Sequence, residues 1–288
     1  MPRTKTLTEG DRGVIIDSHH HFWRYDPVEY DWISEPMRAL RRDFLPADLR
    51  REIEAAGVNG VISVQARQTL GETRALLAHA RAHGFIRGVV GWVPLVDPGV
   101  RGALAEFARD PHLRACRHVL QDEPDDEYML RQDFNEGMRA VTEAGLVYDI
   151  LIFERHLPQT LEFVDRHPNQ VFVLDHIGKP RIRDASFGAW HAGIRELARR
   201  PNLYCKISGM VTEADWQRWS EADLAPYMDA VLDAFGPGRL MYGSDWPVCL
   251  VGVRYARWFE LVAGFAARLS ADERDRVLGG TAIEAYRL

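Results

Sequence analysis

Three short runs carry the residue types best suited to chemistry. The first, Ile15-Ile16-Asp17-Ser18-His19-His20-His21-Phe22-Trp23, follows an apolar, β-branched stretch with three imidazoles. Side chains alternate along a strand, so His19 and His21 point one way and His20 the other. Two imidazoles two residues apart at a strand end can grip one divalent cation. The second run, Met241-Tyr242-Gly243-Ser244-Asp245-Trp246-Pro247, places a carboxylate after another apolar stretch. Asp245 can ligate a metal, take a proton from water or cap a helix. Pro247 and a helical pattern that restarts only near Val253 weigh against the cap. The third, Leu174-Asp175-His176-Ile177-Gly178-Lys179-Pro180, holds one more imidazole, with Gly178 and Pro180 forming a stiff turn that fixes His176 and Lys179.

Other polar residues stand at the ends of apolar runs: Gln65 and Arg67, then Arg117, His118, Gln121 and Asp122, then Tyr148, Asp149, Arg155 and His156. The acidic run 121–127 reads as a solvated loop. His79, His83, His112, His167 and His191 fall on predicted helices or their ends and read as structural or surface residues. Among 36 Lys and Arg, only Lys5, Lys179 and Lys206 are lysines. Codon bias accounts for such a ratio, but the two lysines in the body of the chain fall at consecutive predicted strands. The sequence leaves open whether Lys206 points inward or outward.

These residues need a scaffold that brings strand ends together. Short β-branched runs predict strands over 14–17, 58–66, 86–93, 115–120, 146–153, 171–175, 203–208 and 239–243. Between them, apolar residues every three or four positions predict helices over 46–56, 71–83, 100–108, 132–144, 158–167, 187–199 and 224–235. Helical patterns over 253–268 and 271–278 follow. Eight strand–helix units in a chain of 288 residues predict an α/β fold, a (β/α)8 TIM barrel. A doubly wound open sheet is the alternative, but it usually offers a Gly-rich turn after its first strand, where this chain has histidines and aromatics. A long insertion, 22–45, follows strand 1 and another, 209–223, follows strand 7. Both belong at the C-terminal mouth, where such barrels build their sites. The expected organisation is a disordered leader over 1–13 and one domain over 14–288, with extra C-terminal helices.

The composition narrows the function classes. With 46% hydrophobic, 27% charged and 10% aromatic residues the chain can bury a full core. A net charge of -6 gives no general attraction for nucleic acid or anionic lipid. Neither a membrane-spanning run nor an apolar secretory stretch stands in the sequence, and Cys116, Cys205 and Cys249 are too scattered for a disulfide framework. A cytoplasmic enzyme acting on a small molecule is the expectation.

From Ile15 to Tyr286 the chain resembles the amidohydrolase superfamily, and within it the sugar-lactone hydrolases of the L-fuconolactonase and L-rhamnonolactonase type, relatives of 2-pyrone-4,6-dicarboxylate lactonase. The runs quoted above carry the resemblance, together with Asp43-Phe44-Leu45-Pro46, Val64-Gln65-Ala66-Arg67-Gln68 and Arg117-His118-Val119-Leu120-Gln121-Asp122-Glu123. It implies that His19 and His21 are the strand 1 pair, His176 the strand 6 histidine and Asp245 the strand 8 aspartate. These four are then the expected metal ligands and catalytic residues, with Asp245 activating water for attack on a lactone carbonyl. Strand 5 lacks a histidine and strand 4 a lysine, so one divalent ion, zinc first, is expected rather than a bridged pair. Some relatives of this type work without a metal. Arg67, Arg117, His118 and Lys179 are the expected binders of ring hydroxyls or a carboxylate, and Trp23 and Trp246 the expected stacking platforms. A decarboxylase or another ester or amide hydrolase of the same superfamily is the alternative activity.

Overall fold

In the computed structural model residues 13–288 are described, so the expected leader over 1–13 lies outside them but for Gly13. Eight strands form from the β-branched runs: β1 (Ile16–His20), β2 (Gly60–Val64), β3 (Ile86–Gly91), β4 (Leu113–His118), β5 (Val147–Ile150), β6 (Phe172–Leu174), β7 (Leu203–Ile207) and β8 (Leu240–Tyr242). They pair in parallel in chain order, with no strand out of sequence. That order is a barrel's and not a doubly wound sheet's. The helices α1 (Pro46–Ala56), α2 (Leu70–Ala82), α3 (Val100–Phe107), α4 (Gln132–Glu143), α5 (Leu157–Arg166), α6 (Gly188–Leu197), α7 (Glu221–Phe235) and α8 (Tyr255–Ala266) each follow one strand.

Alternation along the strands sorts the barrel interior into layers. Ile16, Val64, Ala115, Val147, Val173, Tyr204 and Met241 belong to one apolar cluster. Two positions on from four of these, toward the C-terminal ends, stand Arg117, Asp149, Asp175 and Lys206, all buried. The apolar layer is stoppered by the C-terminal helix α10 (Thr281–Tyr286), whose Ala282, Ile283, Ala285 and Tyr286 join the same cluster.

Of the boundaries that shift by a few residues from expectation, three bear on the site and the barrel floor. β1 continues through His20, which pairs with Ser63 of β2, so His19 lies inside the strand. β5 stops at Ile150. The pattern over 271–278 divides into α9 (Ala271–Asp275) and a π-helical turn, Arg276–Gly280. Gly279 explains the turn's close approach to the barrel: a Cβ there would lie 1.8 Å from the Val14 carbonyl oxygen.

The seam between β1 and β8 is closed without a continuous ladder. Trp246 bridges His20, the Ser18 hydroxyl donates to the Tyr242 carbonyl at 2.6 Å, and the Asp245 N–H donates to the His19 carbonyl at 2.8 Å. Asp17 completes it, accepting from the Ser244 N–H at 2.8 Å and from the Tyr255 hydroxyl at 3.1 Å.

Burial also makes the fold acid-sensitive. Buried His167, 2.8 Å from the Asn135 side-chain oxygen, is pulled down to about 4 by desolvation, so it stays neutral while the unfolded chain's imidazole titrates near its ordinary value. The unfolded state therefore binds more protons between those values, and stability falls as the pH drops through that window. This one group is expected to remove about 2 kcal/mol between pH 7 and pH 5. Urea denaturation at both pH values checks this, with His167→Gln expected to show a smaller loss.

Candidate active site

Closing the seam brings together side chains from opposite ends of the chain. The Nε2 atoms of His19 and His21 lie 3.2 Å apart. Asp245 Oδ1 is 3.8 Å from the first and 3.5 Å from the second. A tetrahedral cation with bonds of about 2.0–2.1 Å spaces its ligand atoms by about 3.4 Å, so these three atoms match a cradle for one divalent ion. His176 Nε2 reaches Asp245 Oδ1 at 3.9 Å but falls outside that set of three, grouping instead with His19 and Asp175. The alternation read from the sequence is present: His20 turns away and meets the Ser63 hydroxyl at 2.9 Å.

Unusual backbone aims these groups. Asp245 has φ 57°, and His176, Ile177, Gly178 and Lys179 form an unbroken left-handed run with φ of 54°, 50°, 71° and 46°. Each such non-glycine residue costs on the order of 1–3 kcal/mol. The run is held by the Trp190 indole N–H donating to the Ile177 carbonyl at 2.8 Å and by a 2.9 Å bond between His176 Nδ1 and the Ser208 hydroxyl. Burial pulls His176 down to about 4 and His19 well below the usual imidazole range, so both are neutral near pH 7. Burial pushes the Asp245 carboxyl up, but His176, His21 and Lys179 outweigh it and hold the group below its ordinary value, ionised.

Beneath the cradle lies a set of fully buried charges. Lys206 Nζ is 2.6 Å from Asp149 Oδ2, 3.0 Å from Asp175 Oδ1 and 3.3 Å from His19 Nδ1. Arg117 Nη1 bonds Asp175 Oδ2 at 2.9 Å, and its other nitrogen donates to Gln65. The Tyr286 hydroxyl donates to Asp149 at 2.8–2.9 Å. Two carboxylates thus face two cations, which offsets the cost of burying any one of them.

Above the cradle opens a cavity of about 320 Å³. His21, Arg117, His176 and Asp245 form its polar floor, and Trp32, Met37, Val119, Leu151, Phe153, Trp216 and Val248 its apolar wall. Lys179 lines it too, paired with half-buried Glu213 at 3.7 Å.

Four expected binders lie elsewhere. Trp23 is buried, its indole N–H donating to the Arg42 carbonyl and its ring packed on Phe44. Trp246 packs edge-on against Phe44 and Phe22. His118 has both ring nitrogens engaged, with Glu123 at 2.6 Å and the Trp92 indole N–H at 3.3 Å. Arg67 pairs with Glu29 and Glu72 and lies over the Tyr30 ring, tying the insertion after β1 to α2. The tryptophans that line the cavity are instead Trp32 and Trp216, on the two insertions predicted to overhang the mouth. Asp149, Asp175 and Lys206 were legible from alternation once a neighbour's direction was known, whereas Tyr286 carried no signal.

The chain's relatives fit this geometry. The amidohydrolase family model matches residues 16–288. The chain is 44% identical over 284 residues to the L-fucono-1,5-lactonase of Burkholderia multivorans, covering 95% of this chain and 96% of that protein. It is 38% identical over 280 residues to the L-fucono-1,5-lactonase of Burkholderia ambifaria, covering 95% of both. A solved amidohydrolase from Burkholderia multivorans, crystallised with bound zinc, superposes with a TM-score of 0.92 at 44% identity, over 96% of this chain and all of that one.

Gly209 is where the site and the backbone constrain each other most. Its φ is +61°, and a Cβ there would lie 2.5 Å from His176 Nδ1. Gly145, at φ +71°, has open space around it. Gly145→Ala is therefore expected to cost about 1 kcal/mol and Gly209→Ala more than about 3 kcal/mol, measured by urea denaturation. Equal losses would mean that His176 yields freely.

Proposed function

The chain belongs to the amidohydrolase family, and on that premise we propose that it hydrolyses a sugar-acid lactone, of the L-fuconolactone or L-rhamnonolactone kind, to its hydroxy acid. The observation that carries this reading is an ionised Asp245 within 3.5–3.9 Å of three imidazole nitrogens. Asp245, His21 and His176 lie at the floor of a cavity sized for one ring. Relatives named as L-fucono-1,5-lactonases, aligned over nearly the whole chain, support it.

Asp245 accepts a proton from water as that water attacks the lactone carbonyl, then returns it to the ring oxygen as the ester bond breaks. Arg117, reaching the cavity floor with its charge held by Asp175, stabilises the oxyanion together with the imidazoles. Lys179 and Glu213 offer a donor and an acceptor to ring hydroxyls, and Trp32 and Trp216 cover the ring's apolar face. His19, His21 and Asp245 would hold one divalent cation, zinc first, with His176 beside them. Bound there it would polarise the carbonyl and acidify a water. We take residues 14–288 as the catalytic domain. Among the described residues no helix is long and apolar enough to cross a membrane, and the three cysteines are buried and unpaired. The unpaired cysteines support a cytoplasmic setting.

Acid release from a panel of aldonolactones tests the reading. Asp245→Asn is expected to lower kcat/KM by about 10²–10⁴ with the fold intact by circular dichroism. A fully active variant would remove Asp245 from the mechanism, and a panel without turnover would remove the lactonase. Trp32→Ala and Trp216→Ala are expected to raise KM severalfold with kcat little changed. Trp23→Phe and Trp246→Phe should instead lower the Tm and leave KM near wild type.

A further inference from the structure

We infer that Glu213 is a specificity-determining residue: by cancelling the charge of Lys179 it admits lactones that carry only hydroxyls and shuts out lactones that carry a second carboxylate. The inference rests on the reading that the chain is a lactonase, and it names the charge of the substrate.

Among the described residues two cations line the cavity, Arg117 and Lys179, and each already faces a carboxylate. Arg117 lies in the floor, at the carbonyl end. Its Nη1 donates to Asp175 Oδ2 and its Nη2 to the Gln65 side-chain oxygen, both at 2.9 Å. Asp175 is fully buried, so a guanidinium that turned toward an anion would strand that charge. The remaining charges that line the cavity, Asp122 and Asp245, are negative.

Lys179 is the cation of the wall. It ends the left-handed run after β6, with its Nζ 5.2 Å from the centre of the Phe153 ring. Glu213 arrives from the other side, at the end of the short helical turn Val211–Glu213 on the insertion after β7. Its Oε1 stands 3.7 Å from Lys179 Nζ. Burial pushes the Glu213 carboxyl up, and the Lys179 ammonium is what most opposes that.

The 3.7 Å separation has two effects. It is short enough for the charges to cancel. It is also longer than an N–H···O bond, so Lys179 keeps a donor and Glu213 an acceptor for a third group between or beside them. A substrate hydroxyl suits both, because it accepts from one and donates to the other. A substrate carboxylate suits only Lys179. It has no proton for Glu213, and one ammonium does not neutralise two carboxylates held together against an apolar wall. Rejection of the wrong substrate is thus built in as a repulsive partner beside the attractive one.

The test compares L-galactonolactone with L-galactarolactone, which differ by a hydroxymethyl or a carboxylate at one carbon. Acid release at neutral pH gives kcat/KM for each. Wild type is expected to favour the neutral lactone at least about tenfold. Glu213→Gln keeps an acceptor oxygen for hydroxyls but removes the charge, and is expected to shrink that preference at least about fivefold by a gain on the anionic lactone. The double variant Lys179→Met/Glu213→Gln is expected to lose the gain, since the cation that draws the carboxylate is gone, whereas a merely roomier wall would keep it. A smaller wild-type preference, a smaller shift in Glu213→Gln or a gain that survives in the double variant overturns the inference and leaves the lactonase standing. Wild type inactive on every aldonolactone defeats the lactonase, and the inference with it. If Glu213→Gln does not fold, Lys179→Met decides: with Glu213 left unpaired the preference for the neutral lactone should rise severalfold, and an unchanged preference overturns the inference.

Discussion

Every feature of the site depends on how the barrel is closed between β1 and β8. Parallel strands elsewhere in the sheet hold each other by backbone ladders, but β8 is three residues long and meets β1 through isolated bonds and side chains. The carboxylate of Asp17 is central. Burial pushes it up to about 6, against the bonds it accepts from Ser244, His19 and Tyr255. The segments it joins are the ones that carry His19, His21 and Asp245. Fold closure and assembly of the cradle are therefore one event, and a change that loosens the seam separates the acid–base group from its imidazole partners.

The same logic explains why a charged layer is tolerated inside the barrel. The apolar layer below, capped by α10, keeps water from the underside of the polar one. Within that layer Asp149 and Asp175 are matched by Lys206 and Arg117, so removing any single member strands an opposite charge in a dry place. The arrangement contributes orientation more than stability. Arg117 faces the cavity and Lys206 faces His19 because the carboxylates between them leave few other geometries.

Much of this was legible in the sequence, and the failures have a common cause. The eight strands, the helices and the convergence of His19, His21, His176 and Asp245 follow from periodicities of two and 3.6 and from barrel order, which are properties of backbone geometry. The choice of aromatic wall did not follow. Trp23 and Trp246 adjoin the motifs in sequence, but both turn into the core against Phe44. Trp32 and Trp216 lie on insertions whose paths no periodicity specifies. His118 and Arg67 stand at strand ends as expected, but Glu123 and Glu29 engage them first, and those partners are visible only once the loops are in place.

The long spans between partners have a consequence for how the protein is made. Lys206 meets His19 across 187 residues, Tyr286 meets Asp149 across 137, and Ser244 meets Asp17 across 227. A ribosome releases the histidines of β1 long before anything that will hold them exists. No nascent fragment short of Asp245 contains the cradle, and the charged layer lacks its Tyr286 brace until α10 emerges. Contacts this distant in the chain are slow to form. An unfinished barrel presents open strand edges in the meantime, so demand for chaperones should be greatest before β8 emerges to close the sheet.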